Sequence, residues 1–134
     1  MRELPDPEKA KPCILVIDDD ETVARAIASR LGRDFRVVGL SDPRQAVQRA
    51  REEKPGVILC DIHMPGMQGD EVAFALSQDP RTAAVPLVYL TGLVGPEDAP
   101  DLAGVFGDHA TLSKSASTEE LRGTITAALG LSPD

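Results

Sequence analysis

Residues 13–20 have the sequence CILVIDDD, in which five apolar residues run directly into three aspartates. Successive side chains of a strand point to opposite faces of a sheet, so an unbroken apolar run predicts a strand that is buried on both sides. Two further segments, 57–60 and 85–90, have the same character. Strands of this kind are typical of parallel sheets that helices cover on both faces.

Weaker strand segments and helical segments alternate with these three runs. The segments 35–40 and 110–112 are apolar but interrupted by polar residues, and they are predicted at the edges of the sheet. Four helices are predicted from apolar spacing and from their end signals: 23–31 before Gly32, 43–50 after Asp42, 69–78, and 118–129 between a capping box at Ser117 and Gly130. A fifth, at 100–106, is expected to be short or irregular because proline and glycine interrupt it.

Five strands and five helices in strict alternation predict an α/β fold with a doubly wound, five-stranded parallel sheet and right-handed crossovers. The 134 residues suffice for one such domain, which we expect at 12–130. We expect residues 1–11 to form a flexible N-terminal extension, and 131–134 to form a C-terminal tail or the start of a linker.

Composition and charge argue against several classes of protein. No apolar run could span a bilayer, and the polar, proline-broken start is unlike a secretion signal, so we expect a cytoplasmic protein without membrane contact. The formal net charge is -8 and lysines and arginines do not cluster, which argues against direct nucleic-acid binding. Cys13 and Cys60 are expected on adjacent strands, offset by roughly 13 Å, and therefore buried but not bridged.

Polar residues stand where the predicted strands end, and ligands of doubly wound sheets bind beyond these carboxyl ends. The first strand ends in three aspartates, the third in Asp61 and the fourth in Thr91, while Lys114 follows the fifth. Carboxylate oxygens are ligands that Mg²⁺ prefers, and a lysine ammonium can bind a phosphoryl oxygen. The combination predicts a site for magnesium and a phosphoryl group.

The same residues resemble the receiver family of response regulators. The resemblance extends from residue 13 to residue 129 and rests on Asp18, Asp19, the DIHMPGMQG segment at 61–69, Thr91 and Lys114. Its most specific part is the DxxMPxxxG pattern that begins at Asp61. The resemblance implies a flavodoxin-like strand order of 2-1-3-4-5 and a function in two-component phosphorelay signalling.

Site roles follow from the resemblance residue by residue. It implies that Asp61 accepts a phosphoryl group, in a Mg²⁺-dependent reaction, from a histidine kinase or a phosphotransfer protein. Asp19 would contact the metal most directly, and Asp18 would orient a metal-bound water. The backbone carbonyl of His63 would complete the protein's metal ligands.

Activation would involve two further side chains. Thr91 would bind a phosphoryl oxygen, and Lys114 would pair with Asp61 or with its phosphate. The phosphorylated domain would change conformation and control an output domain or a partner protein. A homodimer of the domain is one assembly compatible with the resemblance. Such a domain phosphorylates and dephosphorylates itself and is not a turnover enzyme.

Four positions depart from the family pattern. Ser115 follows Lys114 where the family usually has a proline in a cis bond, and a cis bond without proline costs about 2.5–4 kcal/mol. We therefore expect a trans loop in which Lys114 is aimed differently. Thr111 stands where an aromatic switch residue is common, and Gly92 replaces an alanine, which opens access to the site. The side chain of His63 is expected to be exposed in a loop, in preference to a role as proton donor or metal ligand.

Two other functions fit part of the pattern. Residues 18–22, DDDET, are similar to the nucleophile motif of haloacid-dehalogenase-like phosphatases, in which Asp18 would be the nucleophile. Against this, Glu21 replaces the usual glycine, no acidic pair ends a strand after Lys114, and Asp61 is left without a role. The second alternative is a pseudo-receiver that binds proteins without being phosphorylated, although all acidic and basic site positions are filled.

Overall fold

The computed structural model describes residues 11–92 and 110–130, in which strands and helices alternate. The strands are β1 (Cys13–Ile17), β2 (Arg36–Leu40), β3 (Val57–Asp61), β4 (Leu87–Thr91) and β5 (Ala110–Ser113). The α-helices are α1 (Glu21–Leu31), α2 (Ala46–Glu53), α3 (Gly69–Ser77) and α4 (Thr118–Leu129), with a 3-10 turn at Pro43–Gln45 before α2. The helix predicted at 100–106 lies outside the described residues.

All five strands are parallel and follow the order β2-β1-β3-β4-β5, which confirms the predicted fold. The two weaker strands, β2 and β5, lie at the edges as predicted. In the β1–β3 register Ile14 is opposite Val57 and Ile17 is opposite Cys60. Cys13 therefore lies several residues away from Cys60 along the strand direction, and both are buried free thiols.

Helices cover both faces of the sheet and form two core clusters. The first connects the strands to α1 and α4 and includes Ile14, Val16, Ile27, Leu31, Leu59, Leu90, Leu121 and Ile125. The second connects the strands to α2 and α3 and includes Leu15, Ile17, Ala50, Ile58, Met64, Val72, Leu76 and Tyr89. Alternate residues of one strand thus enter different clusters, which explains why an unbroken apolar run forms β1.

Polar caps set most helix ends where the sequence predicts them. Ser117 accepts the backbone N–H of Glu120 at 3.1 Å and begins α4, and Gly130 ends it in the left-handed conformation. Asp42 caps the 3-10 turn, so the regular α-helix begins a few residues later than predicted, at Ala46. In the described part of the chain, no helix combines the length and apolarity needed to cross a membrane.

Candidate functional site

The strand order brings the predicted site residues to one edge of the sheet. Asp18 directly follows β1, Asp61 is the last residue of β3, and these two strands are neighbours. Thr91 ends β4, and Lys114 directly follows β5. Because all strands are parallel, their carboxyl ends lie on the same side, at the point where the chain reverses its winding direction.

Three carboxylates converge at this edge. Asp18, Asp19 and Asp61 each offer an oxygen, and these oxygens lie within 4.8 Å of one another. The side chains of Asp18 and Asp61 are buried, whereas Asp19 is exposed at the rim. Burial raises the pKa of Asp61, and the charge of Asp18 raises it further, while Lys114 and the backbone N–H of His63 oppose the shift. The site thus brings three carboxylates together, two of which are largely removed from water.

Lys114 neutralises part of this charge. Its Nζ lies 2.8 Å from Oδ2 of Asp18 and 3.2 Å from Oδ1 of Asp61. Burial would lower the pKa of Lys114, but the hydrogen bonds and charges of the two aspartates outweigh it and raise the pKa. The described residues contain no cis peptide bond. The loop after Lys114 is therefore trans, as expected, but the expectation that Lys114 would be aimed differently was wrong, since its ammonium reaches both carboxylates.

The three consecutive aspartates have different surroundings. Oδ1 of Asp18 accepts the backbone N–H of Asp20 at 2.9 Å, and its Oδ2 contacts the ammonium of Lys114. Asp20 instead caps α1, where its Oδ1 accepts the backbone N–H and the hydroxyl of Thr22 at 3.0 and 2.6 Å. These hydrogen bonds lower the pKa of Asp20. Asp20 is therefore a helix cap and does not belong to the carboxylate cluster.

The loop after Asp61 is held by a close backbone contact that the sequence analysis did not identify. A Cβ on Gly69 would lie 2.6 Å from the carbonyl oxygen of Asp61, so only glycine fits there without movement. The backbone N–H of Gly69 donates to the carbonyl of Ile62 at 2.8 Å. Met64, which lies between these two residues in the sequence, is buried. Gly66 has φ +85°, which favours glycine. The fixed spacing from Asp61 to Gly69 could have indicated this contact.

Thr91 ends β4 and His63 lies two residues after the end of β3, so both are at the edge of the sheet that holds the carboxylates. Thr91 is buried at the end of β4, and its carbonyl accepts the backbone N–H of Lys114 at 2.9 Å. The side chain of His63 is exposed, as expected. Its backbone N–H donates to the Asp61 carboxylate. Metal binding by the His63 carbonyl stays a prediction.

The donor set fits magnesium. It consists of carboxylate oxygens, which are the hard ligands that Mg²⁺ takes, and the exposed Asp19 leaves one side open to water. Oδ2 of Asp18 is buried and has the Lys114 ammonium as its one polar contact among the described residues. A buried carboxylate oxygen with a single partner retains capacity for another cation.

Comparison with known proteins gives a consistent result. The family model described as the response regulator receiver domain matches residues 14–126. Response regulator PleD of Caulobacter vibrioides is 37% identical over 86 residues, which cover 63% of this chain and 19% of PleD. Protein PilH of Pseudomonas aeruginosa is 34% identical over 79 residues, which cover 58% of this chain and 65% of PilH. The chain thus matches only part of the length of these relatives.

Solved structures show the same architecture. A putative response regulator from Chloroflexus aurantiacus has a TM-score of 0.77 at 26% identity, covering 90% of this chain and 98% of the other. The receiver domain of a sensor histidine kinase from Pseudomonas aeruginosa has a TM-score of 0.73 at 25% identity, with the same shares covered, and its structure has a magnesium ion coordinated in the active-site cleft.

Proposed function

Because the chain belongs to the response regulator receiver domain family of two-component signalling, we propose that Asp61 is the residue that accepts the phosphoryl group. The observation that carries this proposal is the position of its carboxylate. Asp61 is the last residue of the buried strand β3, and its carboxylate lies beside those of Asp18 and Asp19. One of its oxygens lies 3.2 Å from Nζ of Lys114.

Each of the two buried aspartates has two polar contacts, so the choice of Asp61 over Asp18 as the nucleophile rests on the segment that follows Asp61. Asp18 has one oxygen on the Asp20 N–H and the other on Lys114. Asp61 contacts Lys114 and the backbone N–H of His63, and it begins the DxxMPxxxG loop that is the most specific part of the family resemblance. Burial and the charge of Asp18 raise its pKa, which makes its carboxylate more basic. An oxygen of Asp61 would attack phosphorus as the bond to the donor breaks, and Lys114 would bind the oxygen charge that develops.

Asp18, Asp19 and Asp61 would hold Mg²⁺, with the carbonyl of His63 as a further ligand. Bound Mg²⁺ would neutralise the clustered carboxylates and bind oxygens of the incoming phosphoryl group. The protein's own contribution is to keep the three carboxylates together before the donor arrives, which the hydrogen bond from the Asp20 N–H and the ion pairs of Lys114 support.

The phosphatase alternative is disfavoured by the local structure of residues 18–22. In a DxD motif the second carboxylate must face the substrate, whereas the Asp20 side chain is bonded to Thr22 as a helix cap. A pseudo-receiver would not need the convergence of Asp18, Asp61 and Lys114. We therefore retain the phosphoacceptor function.

We further propose that the donor is a histidine kinase or a phosphotransfer protein and that the phosphorylated domain controls an output domain or a partner protein. Thr91 would bind a phosphoryl oxygen in the switched state, and a homodimer is one form that this state could take. The domain, at 12–130, would act in the cytoplasm as a self-phosphorylating phosphoacceptor and not as a turnover enzyme. The net charge of -8 supports a protein partner over nucleic acid.

The test is phosphorylation by a small phosphodonor with Mg²⁺, followed by intact mass. Wild type should gain one phosphate, and Asp61→Asn should gain none. Asp18→Asn, which loses a metal ligand but keeps Asp61, should react slowly and still be modified on Asp61. Phosphate on Asp61→Asn at the wild-type rate, or phosphate mapped to Asp18, would refute the proposal.

A further inference from the structure

The backbone of Lys114 is held by the tight turn between β5 and α4. Its N–H donates to the carbonyl of Thr91 at 2.9 Å, and the N–H of Ala116 donates to the carbonyl of Ser113 at 3.0 Å. Arg30 on α1 donates to the carbonyl of Ala116 at 3.1 Å. The turn is thus fixed to β4 on one side and to α1 on the other, with Lys114 at its first central position.

Two serine hydroxyls flank Lys114 inside this turn. The Oγ of Ser113 accepts the backbone N–H of Ser115 at 2.9 Å, and the two Oγ atoms are 2.7 Å apart, a hydrogen-bonding distance. Ser113 also lies opposite Thr91 in the β4–β5 register. A side chain that bonds the N–H two residues ahead restrains the backbone of the residue between them. Here that residue is Lys114.

We propose that Ser113 and Ser115 are positioning residues for Lys114. Their hydrogen bonds hold the turn in the conformation in which one ammonium reaches both Asp18 and Asp61. This inference rests on the proposed function, because it assigns the serines a part in the same phosphoryl transfer. It also explains how a turn without a cis bond directs Lys114 into the carboxylate cluster.

The hydroxyls act on orientation and not on the charge of the site. Within residues 11–92 and 110–130, the hydrogen bonds of the two hydroxyls join Ser113 and Ser115 to each other and not to a carboxylate of the cluster. A lysine side chain is long and flexible, so an ammonium held between two carboxylates depends on where its backbone starts. Loss of the hydroxyls should therefore matter for Lys114 and leave the metal ligands in place.

A double-mutant cycle measures this dependence. Ser113→Ala with Ser115→Ala should lower the rate of phosphorylation by a small phosphodonor about fivefold, the effect of one or two modest hydrogen bonds. The affinity for Mg²⁺ should stay within about twofold. In a Lys114→Ala background the same pair should cause no further loss. Ser113→Thr, which keeps the hydroxyl, should retain the rate, and Ser77→Ala, which removes the hydroxyl bonded to Phe74 on α3, should change nothing.

A second measurement does not require phosphorylation. In protein labelled with ¹³C-lysine and free of metal, the two Cε protons of Lys114 should give separate resonances while the ammonium is held in its two ion pairs. In the double serine variant they should merge as the side chain becomes mobile. Unchanged resonances, or an equal rate loss with and without Lys114, would overturn the positioning role. If wild type accepts no phosphate, but its separate resonances still merge in the double serine variant, the proposed function is overturned and the positioning role stands.

Discussion

Replacement of Gly69 by alanine tests how the backbone of Asp61 is held. A Cβ at this position would lie 2.6 Å from the Asp61 carbonyl oxygen and 3.0 Å from Cα of Ile62, where ordinary contacts begin at 3.4 Å. Both neighbours are backbone atoms, so neither can rotate away. The start of α3 and the end of β3 would have to separate by about 0.8 Å, or the loop would have to distort.

The expected free-energy change combines two opposing contributions. Overpacking of this kind costs about 1–3 kcal/mol. Alanine also restricts the unfolded chain, which stabilises the protein by about 0.4–1 kcal/mol. The net loss should be about 1–2 kcal/mol, or a fall in melting temperature of about 3–8 °C for a domain of this size. Because the displaced group belongs to Asp61, the rate of phosphorylation should also fall by at least about tenfold.

Gly123→Ala is the matched control for this measurement. Gly123 lies in the exposed middle of α4, and a Cβ there would have no atom within 4 Å. The same substitution should therefore stabilise the protein by about 0.5–1 kcal/mol and leave phosphorylation unchanged. A Gly69→Ala protein that melts at or above the wild-type temperature, or that accepts phosphate at the wild-type rate, would refute the close-contact argument.

Three further predictions concern the charges of the site. In chelator, Asp61→Asn should become more stable relative to wild type as the pH rises above about 4. The raised pKa of Asp61 means that its ionised form is disfavoured in the folded state, so the free energy of unfolding of wild type falls as Asp61 ionises with rising pH. If the difference in melting temperature between Asp61→Asn and wild type is the same at about pH 4 and at about pH 7, this prediction is contradicted. Lys114→Ala should destabilise the metal-free protein by about 1–3 kcal/mol, since two buried carboxylates lose their cation, and Mg²⁺ should restore most of the loss in the same melts. Asp19→Asn should weaken Mg²⁺ binding, followed by titration calorimetry, by at least about tenfold, and equal affinity would exclude Asp19 as a ligand.

Much of the fold could be predicted because burial leaves a direct mark on the sequence. Unbroken apolar runs at 13–17 and 57–60 predicted strands covered on both faces, which indicated a parallel sheet. The carboxyl ends of those strands then located Asp18 and Asp61, and the end of the run at 85–90 located Thr91, without any knowledge of the packing. Strand β4 was predicted two residues early because Val85 and Pro86 continue the apolar run, whereas proline has no N–H for a ladder bond.

Features that depend on three-dimensional contact were harder to predict. The direction of the Lys114 side chain was predicted wrongly from the missing proline alone, because the hydrogen bonds of Ser113 and Ser115 form only in the folded turn. The close approach of the Gly69 backbone to the Asp61 carbonyl likewise brings together two residues that are eight positions apart in the sequence. In both cases the residue type is visible in the sequence, but the neighbouring group that it contacts is known only from the fold.

The run of three aspartates shows why position along the backbone decides the role of a residue type. Asp18 continues β1 into the buried edge, where its charge is tolerated because Lys114 pairs with it. Asp20 comes after the end of the strand, with φ -92° and ψ 107°, and its carboxylate accepts the backbone N–H and the hydroxyl of Thr22 in the first turn of α1. Asp19, between them, is exposed, and its side chain takes part in none of the hydrogen bonds or ion pairs given above for the described residues. Metal binding is therefore the role that best accounts for the Asp19 carboxylate beside Asp18 and Asp61, and substitution of Asp19 tests metal binding with the least disturbance of the fold.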